Sequence, residues 1–165
     1  MGVRSVKLAV IGSGGAGKST LITRLSTGIY VDRKMTVGID IETWTIVPND
    51  SGAIRVSCFD FGGQKQFRFF QGSLMIGANL LLIVVDCSNF HSFLEIHDWL
   101  PMAEHIPNER KVLVGTKIDQ PCVVTEEDIS EMAEKLGVQF VMVSSKTGEN
   151  LDELTELLRH IMKMV

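Results

Sequence analysis

No apolar run in this sequence reaches the ~18 residues that cross a bilayer as a helix, so no membrane span is expected. Cysteine is scarce. Cys58, Cys87 and Cys122 are odd in number and far apart, which excludes a disulfide scaffold and fits a reducing, cytoplasmic setting. Positive charge is not in surplus: 16 Lys and Arg against 20 Asp and Glu leave a net charge of −4, with no basic face for nucleic acid. The N-terminus lacks a signal-peptide layout. Met1-Gly2 would open a myristoylation motif, but Val6 stands where that motif needs Ser or Thr. Cys122 is the last cysteine, so no prenylation box follows. No intrinsic membrane anchor is expected in this chain. Low-complexity tracts, repeats and linkers are also absent. The 165 residues, 45% of them apolar, are enough to bury one core, and a single domain over 1–165, monomeric, is expected.

What the chain does have is an alternation of apolar segments of two kinds, as an α/β domain requires. Val6 to Ile11 is a β-branched run ending in glycines, and Lys18 to Thr27 reads as a helix stopped by Gly28. Ile39 to Val47 alternates like a strand with one buried face. Asn49-Asp50-Ser51-Gly52 is a turn signal, and Ile54 to Phe59 returns as the hairpin partner. A helix over Gln64–Met75, the apolar strand Leu80 to Val85, and a helix carrying Phe93, Ile96, Trp99 and Leu100 follow. Lys111 to Gly115 and Val138 to Val143 are further strands. Thr125 with Asp128 forms a capping box, and Leu151, Leu154, Leu157, Leu158 and Ile161 mark the core face of the last helix. The sum is a three-layer αβα domain with a mainly parallel six-stranded sheet and about five helices.

Between the first strand and the first helix lies Gly12-Ser13-Gly14-Gly15-Ala16-Gly17-Lys18-Ser19, which fits G-x-x-x-x-G-K-[ST] in the context that gives that motif its meaning. Glycines allow consecutive N–H groups to converge on phosphate oxygens, and the helix adds its positive end. Lys18 is placed to reach β- and γ-phosphates, and the Ser19 hydroxyl to ligate Mg2+. This much serves ATP as well as GTP. Thr116-Lys117-Ile118-Asp119 follows a strand, where ligand loops of open α/β sheets belong. A carboxylate there pairs with the N1–H and N2–H2 donors of guanine, and adenine offers no such pair. Ser144-Ser145-Lys146 follows the next strand.

Asp60-Phe61-Gly62 spells the magnesium-binding triplet of protein kinases, but the chain has no H-R-D-type loop and no room for two lobes. The same stretch continues as Asp60-Phe61-Gly62-Gly63-Gln64. With the phosphate loop, Thr36, Thr116-Lys117-x-Asp119 and Ser144-Ser145-Lys146, in this order and spacing, the chain resembles the Ras-like small GTPases of the P-loop NTPase (G domain) fold over nearly its whole length. The resemblance implies GTP and GDP as substrate and product, with Mg2+ held by Ser19, Thr36 and Asp60. It implies nucleotide contacts from Gly12, Ser13, Gly14, Gly15, Ala16, Gly17, Lys18, Ser19 and Thr20 at the phosphates, joined by Thr36 and Gly63. At the base it implies Thr116, Lys117, Asp119, Ser144, Ser145 and Lys146, with Tyr30 stacking on the open side. An exposed aromatic without a ligand is the other reading of Tyr30.

Catalysis is implied for Gln64, which would orient the attacking water, with Lys18 and Thr36. Arg33, three residues before Thr36, is similar in position to the cis arginine finger of heterotrimeric G-protein α subunits. It is equally readable as a solvated charge beside Lys34. Thr116 is a Rho-like detail, and Gly62-Gly63-Gln64 an Arf- and α-subunit-like one. Protein effectors and regulators, including an exchange factor and an activating protein, are expected at the segments around Thr36 and Gln64. Trp44, on the strand between them, fits either that surface or the core. Two other functions stand beside the switch: a guanine-nucleotide scaffold with negligible turnover, and a small P-loop kinase or ATPase, for whose substrate lid the chain has no room.

Overall fold

The computed structural model describes residues 2–48 and 52–165. Six strands form one sheet: β1 (Arg4–Gly12), β2 (Ile39–Ile46), β3 (Ile54–Phe61), β4 (Leu80–Asp86), β5 (Lys111–Thr116) and β6 (Gln139–Met142). Their order is β2-β3-β1-β4-β5-β6. Every adjacent pair is parallel except β2 with β3, whose antiparallel register runs from Ile39 opposite Phe61 to Ile46 opposite Ile54. The hairpin is therefore present, but its expected turn at Asn49-Asp50-Ser51 lies outside the described residues.

The helices are α1 (Lys18–Thr27), α2 (Arg68–Met75), α3 (Phe90–Leu94), α4 (Ile96–Trp99), α5 (Glu126–Leu136) and α6 (Leu151–Lys163). Alternate residues of β1 explain the three layers. Leu8 and Val10 face α1 and α6 in one buried cluster, which holds Leu21, Ile22, Leu154, Leu158 and Ile161. Ala9 and Ile11 face the other cluster, with Met75, Ile96, Trp99, Ile129 and Ala133 from α2, α4 and α5. Central β4 is buried along its whole length, and each of its apolar side chains contributes about 1.5–3 kcal/mol by leaving water. Trp44 is half-buried and packs on the first cluster beside Ile46.

Local chemistry sets the element ends. Gly28 closes α1 in the left-handed conformation, its N–H bonded to the Arg24 carbonyl. Thr125 and Asp128 form the expected capping box at α5. Two helices depart from expectation. The segment read as one helix over Gln64–Met75 begins with a 3-10 turn at Lys65–Phe67, and Gln64 itself is extended. The segment carrying Phe93 and Trp99 is broken at Glu95 into α3 and α4, and Leu100 lies in a following 3-10 turn with Pro101. Proline lacks the N–H that would carry an α-helix onward.

The sheet order places the site. From β1 the sheet is extended on one side by β3 and on the other by β4, so the crevice beyond the carboxyl end of β1 is a topological switch point. Residues 12–19 fill it.

Candidate functional site

Helix α1 starts without a side-chain cap or an acidic first turn; its N-cap is Gly17, left-handed at φ 88°. The first N–H groups of a helix have no intrahelical acceptor, so an anion is what this end suits. Gly12 turns the chain inward at φ 150°, and a side chain there would strike the Val84 carbonyl of β4. Lys18 is buried, and its Nζ donates to the carbonyls of Gly12 (3.0 Å) and Ser13 (2.9 Å). An ammonium carries three donors, which leaves one for a ligand. Burial pushes the Lys18 pKa down, while the carboxylates of Asp60 and Glu95 pull it back up.

Three oxygens meet beside Lys18. Ser19 Oγ lies 2.6 Å from Thr36 Oγ1, Thr36 Oγ1 donates to Asp60 Oδ2 at 2.9 Å, and Ser19 Oγ donates to the same carboxylate oxygen. They come from α1, the loop before β2 and the end of β3. Asp60 Oδ1 is buried with no partner among the described residues. Two hydroxyls and a carboxylate are hard donors of the kind Mg2+ takes, and an unpaired buried carboxylate oxygen is costly unless a cation or donor meets it. The residues present fit that ion.

The loops after Thr36 and Asp60 are stitched together. Gly62 N–H donates to the Gly38 carbonyl at 2.7 Å. The fully buried Gln71 of α2 donates from Nε2 to the carbonyls of Gly38 (3.1 Å) and Gly62 (3.0 Å). Gly63 lies against the phosphate loop so closely that a Cβ would fall 2.7 Å from the Ser13 carbonyl carbon. Gln64 Oε1 is buried without a hydrogen-bond partner, 2.7 Å from where a Cβ on Gly62 would stand.

At the other end, Thr116 Oγ1 donates to the Ala16 carbonyl (2.7 Å) and lies 3.1 Å from the Val85 carbonyl. Lys117, left-handed at φ 62°, donates to the Gly15 carbonyl and to Asp86 Oδ2, both at 2.9 Å. The base loop is thereby fastened to the phosphate loop. Asp119 Oδ1 accepts from Ser144 Oγ at 2.8 Å, which orients the carboxylate and leaves Oδ2. Gly15, Lys18, Tyr30, Thr36, Asp119 and Lys146 are among the residues around one cleft, with Ser145, Thr20 and Arg33 also on its wall. The empty space of the cleft, counted with the open solvent at its mouth, is about 850 Å³.

Of the expected site residues, Gly12, Ser13, Gly14, Ala16, Asp60, Gly63, Gln64 and Ser144 are not among those lining the cleft. Ser144 is fully buried behind Asp119. The Arg33 guanidinium is engaged by Thr23 Oγ1 (3.0 Å) and Asp40 Oδ2 (3.5 Å), while its backbone N–H donates to Thr20 Oγ1. Gln71, Asp86 and Glu95 belong to the site without having been expected. Asp86 left a trace in the sequence: an acidic residue ending an otherwise apolar strand marks a carboxylate held for a partner.

A model described as the Ras family matches residues 7–163. The chain belongs to the Ras family. It is similar to the Ras-related protein RABD1 of Arabidopsis thaliana, 34% identical over 152 residues, which span 89% of this chain and 74% of the relative. The Ras-related protein RABD2c of the same plant is 33% identical, with 75% of its length covered. The GTP-binding protein YPTM2 of Zea mays is 33% identical with 74% covered. This Ras-family chain is thus a small GTPase of the P-loop α/β fold, a GTP-binding hydrolase. No helix among the described residues is long and apolar enough to cross a membrane.

Proposed function

We propose that this GTPase is a single-domain GDP/GTP switch that binds Mg2+ and hydrolyses GTP, with the roles of its residues set by the cleft described above. The convergence of Ser19, Thr36 and Asp60 beside buried Lys18 carries the reading. It ties the loop of Thr36 and the strand of Asp60 to the end of the phosphate-binding helix. Mg2+ held by these three residues would neutralise phosphate charge as it shifts toward the leaving oxygen.

The protein's own part is positioning and electrostatics. The loop N–H groups and the α1 end receive the phosphates, and Lys18 supplies a cation against them. The Gly63 N–H and the Thr36 backbone close on the γ-phosphate. Gln64, with its side-chain oxygen buried and unsatisfied, orients the attacking water. Asp119, oriented by Ser144, reads guanine, with Lys117 along the base, Tyr30 across it, and Ser145 and Lys146 closing the rim. When the γ-phosphate leaves, the Thr36 and Gly63 loops lose their common tether and relax.

Val37, Ile41, Phe69 and Leu74, all exposed, lie on or beside those loops and form the face for effectors and regulators, in cytoplasmic signalling or trafficking. Arg33 takes part in hydrolysis only by leaving Thr23 and Asp40. An Arg33→Ala rate within twofold of the parent in single turnover reduces it to a brace for its loop.

Phosphate release from GTP tests the whole scheme. The parent should turn over in Mg2+, stop in chelator, and slow by at least tenfold as Gln64→Leu, with GDP affinity held within about threefold. Comparable affinities for GDP and ADP, or unaltered turnover in Gln64→Leu, would sink it.

A further inference from the structure

Ser13 is the first position of the phosphate loop at which a side chain is free to vary, and it is tied to a distant part of the chain. Its Oγ donates to Glu95 Oε2 at 2.5 Å. The other oxygen, Oε1, lies 2.6 Å from Nε2 of His91, one turn earlier. Glu95 is the residue at which α3 and α4 separate, and its side chain is only 17% exposed, whereas that of His91 is 73% exposed.

Three further constraints meet at Ser13. Its carbonyl accepts from Lys18 Nζ at 2.9 Å and from the Ala16 N–H at 3.1 Å, and its carbonyl carbon lies in the space a Gly63 side chain would need. A hydrogen bond to a carboxylate is roughly twice as strong as a neutral one, so Glu95 fixes the Ser13 peptide more firmly than the loop alone would. That peptide is where the lysine and the Gly63 segment both press. The Glu95 charge also counteracts the desolvation of Lys18.

We infer that Glu95 is a positioning residue for GTP hydrolysis, holding the phosphate loop through Ser13 in the geometry that Lys18 and the Gly63–Gln64 segment require. It touches neither nucleotide nor water in this scheme, and the inference rests on the GTPase reading above. The bond spans 82 positions and joins the phosphate loop to a helix joint on the opposite face from α1, where exposed His91 offers a partner access to it.

The test is a double-mutant cycle on single-turnover GTP hydrolysis, with GDP affinity and thermal unfolding measured on the same proteins. Ser13→Ala and Glu95→Ala should each slow hydrolysis about 3- to 10-fold while GDP affinity stays within twofold. The double variant should be no slower than the worse single one. Glu95→Gln, which can still accept from Ser13 and donate to His91, should recover the parental rate to within twofold. A purely structural role would lower the unfolding midpoint without this pattern of rates. Ser13→Ala at the parental rate, additive effects in the double variant, or no recovery in Glu95→Gln overturns the inference while leaving the GTPase reading intact. A parent chain that binds GDP but does not turn over overturns both.

Discussion

Gly63→Ala is a substitution whose consequence can be worked from distances. A Cβ at this position would lie 2.6 Å from Gly14 Cα and 2.7 Å from the Ser13 carbonyl carbon. Carbon atoms rest at about 3.5–4.0 Å, and both neighbours are backbone held by the phosphate loop, so the Gly63 peptide must withdraw by roughly 1 Å. Its N–H would then leave the narrow 2.7–3.2 Å window of a good hydrogen bond. A hydrogen bond to a charged group contributes about 1.5–3 kcal/mol, equivalent to roughly 10- to 150-fold in affinity. In the proposed switch that bond goes to the γ-phosphate, which GDP lacks. Displacement of a fluorescent nucleotide should therefore show a 10- to 150-fold loss for a non-hydrolysable GTP analogue and a change of under threefold for GDP. Equal losses for both nucleotides, or no loss for either, would refute the assignment of the Gly63 N–H.

In the proposed switch Asp119→Asn replaces an acceptor by a donor toward guanine, and competitive displacement should show at least ~100-fold weaker GDP. Xanthosine diphosphate, with an acceptor at C2, should recover part of the loss. Of the three thiols, only Cys122 is exposed, and burial pushes the Cys87 thiol to about 12 and that of Cys58 well above its ordinary value. One thiol per folded chain should react with a chromogenic disulfide at pH 8, against three in denaturant. The Cys122 thiol is itself raised by partial burial, so its reactivity should climb as pH passes above the ordinary cysteine value. Trp99 is fully buried and stacks under the Arg68 guanidinium at 4.5 Å. Trp99→Ala should cost about 3–5 kcal/mol in urea unfolding.

The alternation of strands and helices was legible because each strand carries its own pattern. The fully apolar β4 announces burial on both faces, and the alternating β2 announces an edge hairpin with one face covered. The last helix was legible from its leucine stripe, of which Leu151, Leu154, Leu158 and Ile161 are buried. The start of α2 was not, because Gln64 is extended and the chain enters through a 3-10 turn; apolar spacing does not distinguish that turn from a first α-helical one. The break at Glu95 was hidden for a different reason. Its backbone is helical at φ −69° and ψ −11°, and nothing in its residue type interrupts a helix.

The site divides along the same line. Gly12 to Ser19 and Thr116 to Asp119 are local motifs, and a motif survives in sequence when the backbone that makes it is continuous. The bonds that turn those motifs into one site are not local. Lys117 reaches Gly15 across 102 positions, Thr116 reaches Ala16 across 100, and Ser13 reaches Glu95 across 82. Each is a single polar contact with no period to betray it. Arg33 shows the converse. Its spacing from Thr36 suggested a catalytic role, yet spacing says nothing of where a long side chain finds partners, and here those partners are Thr23 and Asp40. A guanidinium held by a hydroxyl and a carboxylate has to give up both contacts before it can approach a phosphate. The Ser13 hydroxyl already donates to the Glu95 carboxylate, so it has no long side chain to move and no contact to give up. Fine positioning of this phosphate loop is therefore better sought at the short Ser13–Glu95 contact than at Arg33, whose guanidinium is already engaged elsewhere.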